Sequence, residues 1–201
     1  KRQTIDGLPD SRLCGMTGMW SGVIRDNGVE SIGVDMTRTV AKISFSYLIG
    51  GDGFSFDPSS VKLKSVPNKI RMEETTTQLT DVTYGEYTGE ADANGATMHW
   101  YLPENRAGVV TDDNAAASEK EKTGRGVSNA TCIELTGTAV QGGVTYENVT
   151  FRFFPGSEDM NDYNIKRNHY YTMSVTLKGI DVTDQRITVL SLIHISEPTR
   201  H

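Results

Sequence analysis

The chain has 201 residues, a formal net charge of -6 at pH 7 and 36% hydrophobic residues. This length allows one complete domain and part of another, and the hydrophobic content is sufficient for a core. The acidic balance provides no basic surface suited to nucleic acid, and no apolar run in the sequence is long enough to span a membrane. The sequence also lacks a sustained helical periodicity, whereas its 20 glycines suit strands and turns.

Both ends of the chain differ in character from the rest. Residues 190–200 resemble the in-frame translation of a transposon end joined to a sequencing-library adapter, and Lys1-Arg2-Gln3 matches what the opposite transposon end would encode. We therefore exclude both ends from the fold prediction and interpret the remainder as an internal piece of a longer protein. The expected division is adapter-derived residues 1–3, an upstream domain end or linker at 4–35, one folded domain at 36–189, and adapter-derived residues 190–201.

The first predicted strand follows a Gly- and Met-rich stretch in which Trp20 is interpreted as a packing anchor. Asp26-Asn27-Gly28 is a hairpin signal. Residues 36–49 then alternate between apolar and polar side chains, which predicts a half-buried strand. Its inward face is expected to hold Ala41, Ile43, Phe45, Tyr47 and Ile49.

The middle of the chain predicts short strands between turns and polar loops. A turn is expected at Asp57-Pro58-Ser59-Ser60, followed by a strand that Pro67-Asn68 ends. Residues 69–96 and 106–128 are interpreted as long polar loops. The strands expected in and around these loops are 82–87, 97–102, 131–139 and 144–154, the last two joined by a hairpin at Gln141-Gly142-Gly143.

The clearest pattern lies in residues 151–179, which predict a strand, an acidic loop at 157–164, and a second strand. Residues 171–178 alternate strictly, with Tyr171, Met173, Val175 and Leu177 on one face. Another strand is expected within 181–189. Short strands without βαβ alternation favour an all-β sandwich. Its predicted core is Ile43, Phe45, Tyr47, Val61, Leu63, Ile133, Leu135, Phe151, Phe153, Met173, Val175 and Leu177.

Five segments occur in a recognisable order: RTVAKISFS (38–46), FSFDPSSVKLKSVPNK (54–69), WYLPENRAG (100–108), CIELTGTA (132–139) and YNIKRNHYYTMSVTLKG (163–179). Together they resemble the C-terminal domain of the fimbrillin family, the subunits of type V pili on Bacteroides-type bacteria, and of related cell-surface lipoproteins. The resemblance covers about residues 36–189. It implies an antiparallel, transthyretin-like Greek-key β-sandwich that lacks its last strand or strands.

The resemblance also implies a function. It predicts a non-catalytic fimbrial subunit at the cell surface and outer membrane, held by a lipid anchor that this segment does not contain. Cys14 is not the anchor, because Leu13 directly precedes it and no apolar signal comes before it. The expected partners are other pilus subunits, joined by strand exchange. The alternative is a surface adhesin or glycan-binding lipoprotein that uses loops 69–96 and 106–128 to bind host or bacterial glycans or proteins. The stalk, anchor or tip role stays open.

No catalytic, cofactor-binding or metal-binding residues are assigned. His169 is interpreted as a loop cap at a strand entry, and Arg167 as a partner of Glu158 or Asp162 or as a solvated cation. Cys14 and Cys132 favour two free thiols over a disulfide. The weighed alternatives are a glycosidase pair from Glu104 with Asp112-Asp113, a calcium site from Asp57, Asp159, Asn161 and Asp162, sequons at Asn129 and Asn148, and a phosphate loop at Gly124-Arg125-Gly126.

The same resemblance predicts an open sheet edge. Further C-terminal strands in the family complete the sheet or are donated to a neighbour, so one edge here is expected to lack its partner. Residues 190–195 are β-prone. They are expected either to pair as a continuation of 186–189 or to remain unpaired, and not to form a helix packed in the core.

Overall fold

Regular structure in this chain consists of strands. The computed structural model describes residues 2–9, 14–28, 31–89, 95–110, 124, 126–157, 161–184, 186–189 and 191–193, and no helix occurs among them. The strands are β1 (Arg2–Thr4), β2 (Met16–Thr17), β3 (Thr37–Arg38), β4 (Val40–Ile49), β5 (Phe54–Pro67), β6 (Lys69–Arg71), β7 (Tyr84–Gly89), β8 (Met98–Pro103), β9 (Asn105–Val109), β10 (Cys132–Gln141), β11 (Val144–Phe153), β12 (Asp162–Ile165), β13 (Tyr170–Leu177), β14 (Ile187–Thr188) and β15 (Ser191–Ile193).

Two sheets form the body of the domain. The larger sheet has the order β14-β11-β10-β5-β7, with β15 also paired to β11, and the smaller sheet has the order β13-β4-β8. The Phe45 ring of β4 lies 5.4 Å from the Phe153 ring of β11, so the sheets pack face to face. The predicted all-β sandwich is therefore confirmed.

The core lies between the two sheets, where alternate side chains of facing strands meet. Ile43, Phe45 and Tyr47 of β4 are fully buried, as are Val61, Leu63, Ile133 and Leu135 of the larger sheet. Phe151 and Leu177 are also buried, and Phe153, Met173 and Val175 pack against the core while partly exposed. The predicted core is thus confirmed, and its three partly exposed members lie on β11 and β13.

One strand pair departs from the antiparallel prediction. β13 runs parallel to β4, from Tyr170 opposite Lys42 to Leu177 opposite Ile49. The alternation in residues 170–177 identifies the strand and its inward face, but the same alternation fits either direction of pairing. The direction is set instead by the path of the chain, which leaves β11 in the larger sheet and crosses to the smaller sheet through β12.

The turn predicted at Asp57-Pro58-Ser59-Ser60 is wrong, because β5 continues through it. The pairing of β5 with β10 shifts register between Thr136 and Gly137, at the position of Pro58. A proline fits here because a bulge interrupts the ladder at the point where its missing N–H would otherwise be needed. A side chain at Gly137 would collide with the carbonyl oxygen of Asp57, so glycine permits the close approach.

Two predicted loops contain a strand pair. β9 begins one residue before the loop predicted at 106–128 and continues into it, and β12 overlaps all but the last of its residues with the loop predicted at 157–164. The two strands pair antiparallel, with Asn164 opposite Arg106. Pro103 ends β8 as predicted, but the chain resumes almost at once as β9. Both strands are short and polar, and therefore carry little of the apolar alternation by which strands are recognised.

The remaining segments are attached to this body by short ladders. β1 pairs with β6 and β2 pairs with β3. Trp20 is 37% exposed, so its interpretation as a packing anchor is wrong. In the region predicted to hold one more strand, β14 pairs with β11, and β15 continues along β11 opposite residues 145–147. The predicted pairing of 190–195 is therefore met at Ser191–Ile193; residues 190, 194 and 195 lie outside the described residues.

Candidate functional site

Arg167 and Glu104 form an ion pair inside the domain. Each side chain is only 3% exposed, and the Arg167 guanidinium donates to Glu104 Oε1. Arg167 also donates to the backbone carbonyls of Arg71, Met72 and Glu73 at 2.9–3.0 Å. It therefore ties the segment after β6 to the end of β8 and the approach to β13. The predicted alternative of a solvated cation is wrong, and so is a pairing with Asp162, while Glu158, the other predicted partner, lies outside the described residues.

Further polar groups surround this ion pair. Arg106 Nη2 lies 2.6 Å from Glu74 Oε1, and its Nε lies 3.6 Å from Glu104 Oε2. Asn105, buried beside them, donates to the Asn129 carbonyl and to Thr131 Oγ1. Glu104 Oε2 has no hydrogen-bond partner in the structure. With two arginines close to its carboxylate, Glu104 is engaged in holding strand ends together and is not open to a substrate.

His169 and Asp162 both serve local structure. His169 is exposed, its Nδ1 lies 2.8 Å from the Arg167 carbonyl oxygen, and its ring stacks on Tyr171. This agrees with the predicted loop cap. Asp162 accepts hydrogen bonds from Ser157 and from the backbone and side chain of Asn164. Burial alone would raise the pKa of Asp162, but these hydrogen bonds outweigh burial and lower that pKa below its usual value.

The described residues provide no support for the other sites considered from the sequence, namely the glycosidase pair, the calcium site and the phosphate loop. Asp112, Asp113, Arg125, Glu158 and Asp159 lie outside the described residues. Within the described part of the chain, no group of three or more His, Cys, Asp or Glu residues is placed to hold a metal ion. Cys132 is buried and not in a disulfide, and burial raises the pKa of its thiol to about 12. In the same described ranges, no helix has the length and apolar character needed to cross a membrane.

One edge of the smaller sheet is open. The amide of Lys42 donates to the His169 carbonyl and the amide of Gly50 to the Leu177 carbonyl. Because the N–H and C=O of one strand residue point to the same side, the odd-numbered residues of β13 face β4. Tyr170, Thr172, Ser174 and Thr176 therefore direct their backbone groups away from the sheet. None of the described strands pairs with that side of β13.

A partly apolar groove lies beside this open edge. It encloses about 350 Å³ between the second half of β13 and strands β11 and β14. Its apolar lining is Phe151, Phe153, Val175, Leu177 and Ile187, and charged side chains line it as well: Arg152, Lys178, Asp184 and Arg186. Phe153 of β11 and Val175 of β13, which are partly exposed, thus meet at this groove. An extended segment lying along β13 would place alternate side chains over it.

The outer face of the smaller sheet carries a row of three side chains on adjacent strands. Tyr170 and Tyr101 both lie opposite Lys42 in the strand register. The Lys42 ammonium lies 4.6 Å from the centre of the Tyr170 ring and 5.8 Å from that of Tyr101. Hydrogen bonding with Ser44, followed by Thr172 and Lys42, lowers the pKa of the Tyr170 hydroxyl.

A shallow cavity of about 280 Å³ adjoins that row. Besides Tyr170, Lys42 and Tyr101, its lining includes Arg38, Cys14, Val40, Ala41, Asn168 and His169. No carboxylate is among these lining residues. The cavity therefore combines two cations with two aromatic rings on a chain whose net charge is negative.

The outer face of the larger sheet is organised differently, because its charges pair across strands. Lys62 lies 2.7 Å from Glu86, Lys64 lies 3.1 Å from Glu134, and Arg152 lies 2.9 Å from Glu134. Cross-strand pairs of this kind neutralise one another in place. This face offers no comparable group of cations without carboxylates.

Comparison with known proteins supports the fold. Residues 100–175 match the family model of a domain of unknown function (DUF4906), and no curated protein matches the sequence. A proposed cell adhesion protein from Parabacteroides distasonis is 15% identical, with a TM-score of 0.50 over 87% of this chain and 63% of that one. At this identity the likeness concerns the fold alone, which agrees with the sandwich described above.

Two further solved structures are similar at lower TM-scores. One is a C-terminally truncated tip fimbrial protein, Mfa3, from Porphyromonas gingivalis, at 16% identity and a TM-score of 0.43, covering 78% of this chain and 52% of that one. The other is a proposed cell adhesion protein from Bacteroides eggerthii, at 15% identity and a TM-score of 0.44, covering 78% and 55%. The chain thus spans between about half and just under two thirds of these proteins.

The predicted resemblance to fimbrial surface proteins agrees with these neighbours. Sequence reasoning missed the Arg167–Glu104 pair, the row at Lys42 and the cavity beside it. A usable signal existed only for the row: Lys42 was predicted on an outward face, Tyr101 lies in the strand predicted at 97–102, and Tyr170 directly precedes the alternation at 171–178. Because the alternation of apolar and polar residues does not specify strand order, it could not predict that these three residues are neighbours.

Proposed function

We propose that the chain is a non-catalytic subunit of a cell-surface fibre that joins its neighbours by strand completion. Residues 36–189 would form its C-terminal sandwich domain, and a lipid anchor outside this segment would hold the protein at the outer membrane. The observation that carries the proposal is the open edge of β13 beside a partly apolar groove. The fold shared with a proposed cell adhesion protein supports a location at the cell surface.

The edge of β13 is better suited to accept a strand than the other edges described. Residues 170–177 include no charged residue and no proline, the two common devices that prevent edge-to-edge pairing. By contrast, β7 carries Glu86, β8 ends at Pro103, and β14 spans only two residues. A strand from a second copy would find eight residues of regular backbone along β13, and apolar side chains would cover the groove.

The proposal is tested by blocking the edge without disturbing the sheet. Ser174 directs its N–H away from β4, so Ser174→Pro removes one outward donor and leaves the β4 ladder intact. Ser174→Ala is the matched control, since it removes only the hydroxyl that contacts Ser46. Light scattering should show concentration-dependent association of the wild type and of Ser174→Ala, and a monomer for Ser174→Pro.

Hydrogen exchange provides an independent measurement of the same edge. In the monomer, the amides of Thr172, Ser174 and Thr176 should exchange fast and those of Met173 and Val175 slowly. Association should then protect the first group. Assembly of Ser174→Pro at wild-type concentration, or a wild type that stays monomeric with unprotected outward amides, would count against strand completion at β13.

A second function, adhesion through a bound surface glycan, is favoured by a separate observation. The row of Tyr170, Lys42 and Tyr101 with its cavity lies on the outer face of the smaller sheet, at the start of β13, whereas the groove adjoins the second half of that strand. The expected location of an adhesive surface in loops 69–96 and 106–128 is not tested, because residues 90–94 and 111–123 lie outside the described residues. The two functions are compatible on one chain.

A further inference from the structure

The outer face of the smaller sheet presents two aromatic rings that no core residue covers. Tyr170 is 58% exposed, and Tyr101 lies across β4 from it in the same row. Since the three residues lie on adjacent strands, the two rings are separated by about two strand spacings, roughly 10 Å, with Lys42 between them. A tyrosine side chain held in a sheet has few rotatable bonds, so it loses little conformational entropy when it contacts a ligand.

Charge near these rings favours an anion. The cavity is lined by Arg38 and Lys42, and none of the described residues in its lining carries a carboxylate. Arg38 is exposed, so its guanidinium is accessible to a ligand in the cavity. A guanidinium matches a carboxylate or a sulfate with two parallel hydrogen bonds, and an ammonium adds a point charge. The two cations thus supply charge, and the rings supply an apolar surface.

The volume of the cavity limits the size of its ligand. A cavity of about 280 Å³ is slightly smaller than typical ligand pockets, whose volumes begin near 300 Å³. One sugar ring with its substituents fits such a space, whereas a folded partner does not. The apolar face of a pyranose can lie on a tyrosine ring, and His169 and Asn168, which line the cavity, offer hydrogen-bonding groups to its hydroxyls.

We propose that the cavity beside Lys42 and Arg38 binds an acidic sugar, a single pyranose ring that bears a carboxylate or a sulfate. The ring of Tyr170 contacts the apolar face of the sugar, Tyr101 borders the same cavity, and the two cations bind the anionic group. This names the ligand class for the adhesive role proposed above and rests on that role. It does not depend on strand completion, which takes place at the edge of β13.

Titration of the complete chain by NMR with three sugars tests the site. Glucuronic acid and glucose 6-sulfate should shift the amide signals of residues 38–42, 101 and 168–170, and glucose should not. Binding of one of the two acidic sugars alone would support the site and identify its anionic group. Binding of neither, or equal binding of glucose, would overturn the proposal. The measurement is made at concentrations where light scattering shows a monomer, so its failure is distinct from a failure of assembly.

Variants separate the contributions of charge and ring. Lys42→Gln and Arg38→Gln should each weaken binding of the acidic sugar about tenfold, as expected for loss of a charge-assisted hydrogen bond. Lys62→Gln, a lysine on the outer face of the larger sheet, should leave binding unchanged. Tyr170→Ala should weaken binding, whereas Tyr170→Phe, which keeps the ring, should bind like the wild type. Equal loss in Lys62→Gln and Lys42→Gln would show nonspecific attraction and overturn the proposal.

Discussion

The two sheets of this sandwich place their charged side chains differently. On the larger sheet, Lys62, Lys64 and Arg152 pair with Glu86 and Glu134 on the solvent face. The smaller sheet has its ion pair inside, where Glu104 follows β8 and Arg167 approaches β13, and it leaves Lys42 outside with tyrosines and no carboxylate. The difference separates charges that pair with carboxylates from a lysine whose contacts, among the described residues, are with tyrosines.

The largest expected effect concerns the buried charges of the smaller sheet. Arg167→Met removes the partner of Glu104 and leaves three carbonyl acceptors without their donor. Losing one member of a buried pair costs roughly 3–5 kcal/mol, because the other charge stays buried. Urea unfolding followed by circular dichroism measures this loss of unfolding free energy.

A double variant distinguishes charge from packing at the same place. Adding Glu104→Gln to Arg167→Met removes the stranded carboxylate, and should therefore recover part of the lost stability. Arg38→Gln, on an exposed arginine, serves as the control and should change stability by less than about 0.5 kcal/mol. A loss below about 1 kcal/mol in Arg167→Met would mean that the buried pair does not hold the strand ends.

The next prediction concerns the Asp162 carboxylate, which accepts its hydrogen bonds from uncharged groups. Hydrogen bonds from Ser157 and Asn164 lower the pKa of Asp162 against the opposing effect of burial. A lowered folded-state pKa gives stability that is present above the unfolded pKa, near 4, and is lost as the pH falls through the folded value. Asp162→Asn should cost about 1–2 kcal/mol at pH 7 and flatten the pH dependence of stability below pH 4.

The pH profile of unfolding, recorded from pH 7 to pH 2, measures both expectations for Asp162. Asp57→Asn is the control, because Asp57 is exposed on β5. An Asp162→Asn profile parallel to that of the wild type, displaced without any change of slope, would show that the carboxylate charge itself contributes nothing.

A smaller effect is expected on the solvent face of the larger sheet. Glu134 bridges Lys64 and Arg152, and its side chain is 15% exposed. Glu134→Gln should cost about 1 kcal/mol or less, since partly exposed ion pairs are weakened by solvent and salt. The cost should shrink further in 1 M NaCl, which chemical denaturation with and without salt would reveal. An undiminished cost in high salt would indicate a packing effect.

The smallest effect on stability belongs to Lys42. Because its charge has no carboxylate in the cavity lining, Lys42→Gln should leave the unfolding free energy within about 0.5 kcal/mol of the wild type. Thermal unfolding measures this, with Arg167→Met as the contrast. A substantial loss in Lys42→Gln would place this lysine among the charges that hold the fold and would weaken its assignment to a ligand.

Sequence periodicity was a good guide where one face of a strand is apolar. The alternation of β4, β10 and β13 predicts their inward faces, and Ile43, Phe45 and Leu135 are fully buried as expected. The same reasoning failed at Pro58, where turn residues lie in a continuous strand because β5 carries one extra residue, Ser59, in its pairing with β10. It failed again at β9 and β12, whose polar residues pair with each other.

The candidate site was largely beyond sequence reasoning, since it depends on strand neighbours. Arg167 and Glu104 lie 63 positions apart in the chain. Lys42 meets Tyr170 only because β13 runs parallel to β4, and alternation does not encode that direction. Which residues become neighbours across long sequence distances depends on packing and on the path of the chain, and the pattern of a single sequence does not specify either.

The parallel pairing of β13 with β4 has a consequence for the time course of folding. Ser46 and Ser174, which meet across this pair, are separated by 128 positions, whereas β10 and β11 are joined by a two-residue turn. Closing a long loop costs entropy before any contact compensates for it, and distant pairings slow folding. The smaller sheet should therefore form late, after the β10–β11 hairpin and most of the larger sheet. During synthesis, β4 can pair with β8 first, and β13 joins the smaller sheet only after β10 and β11 have emerged.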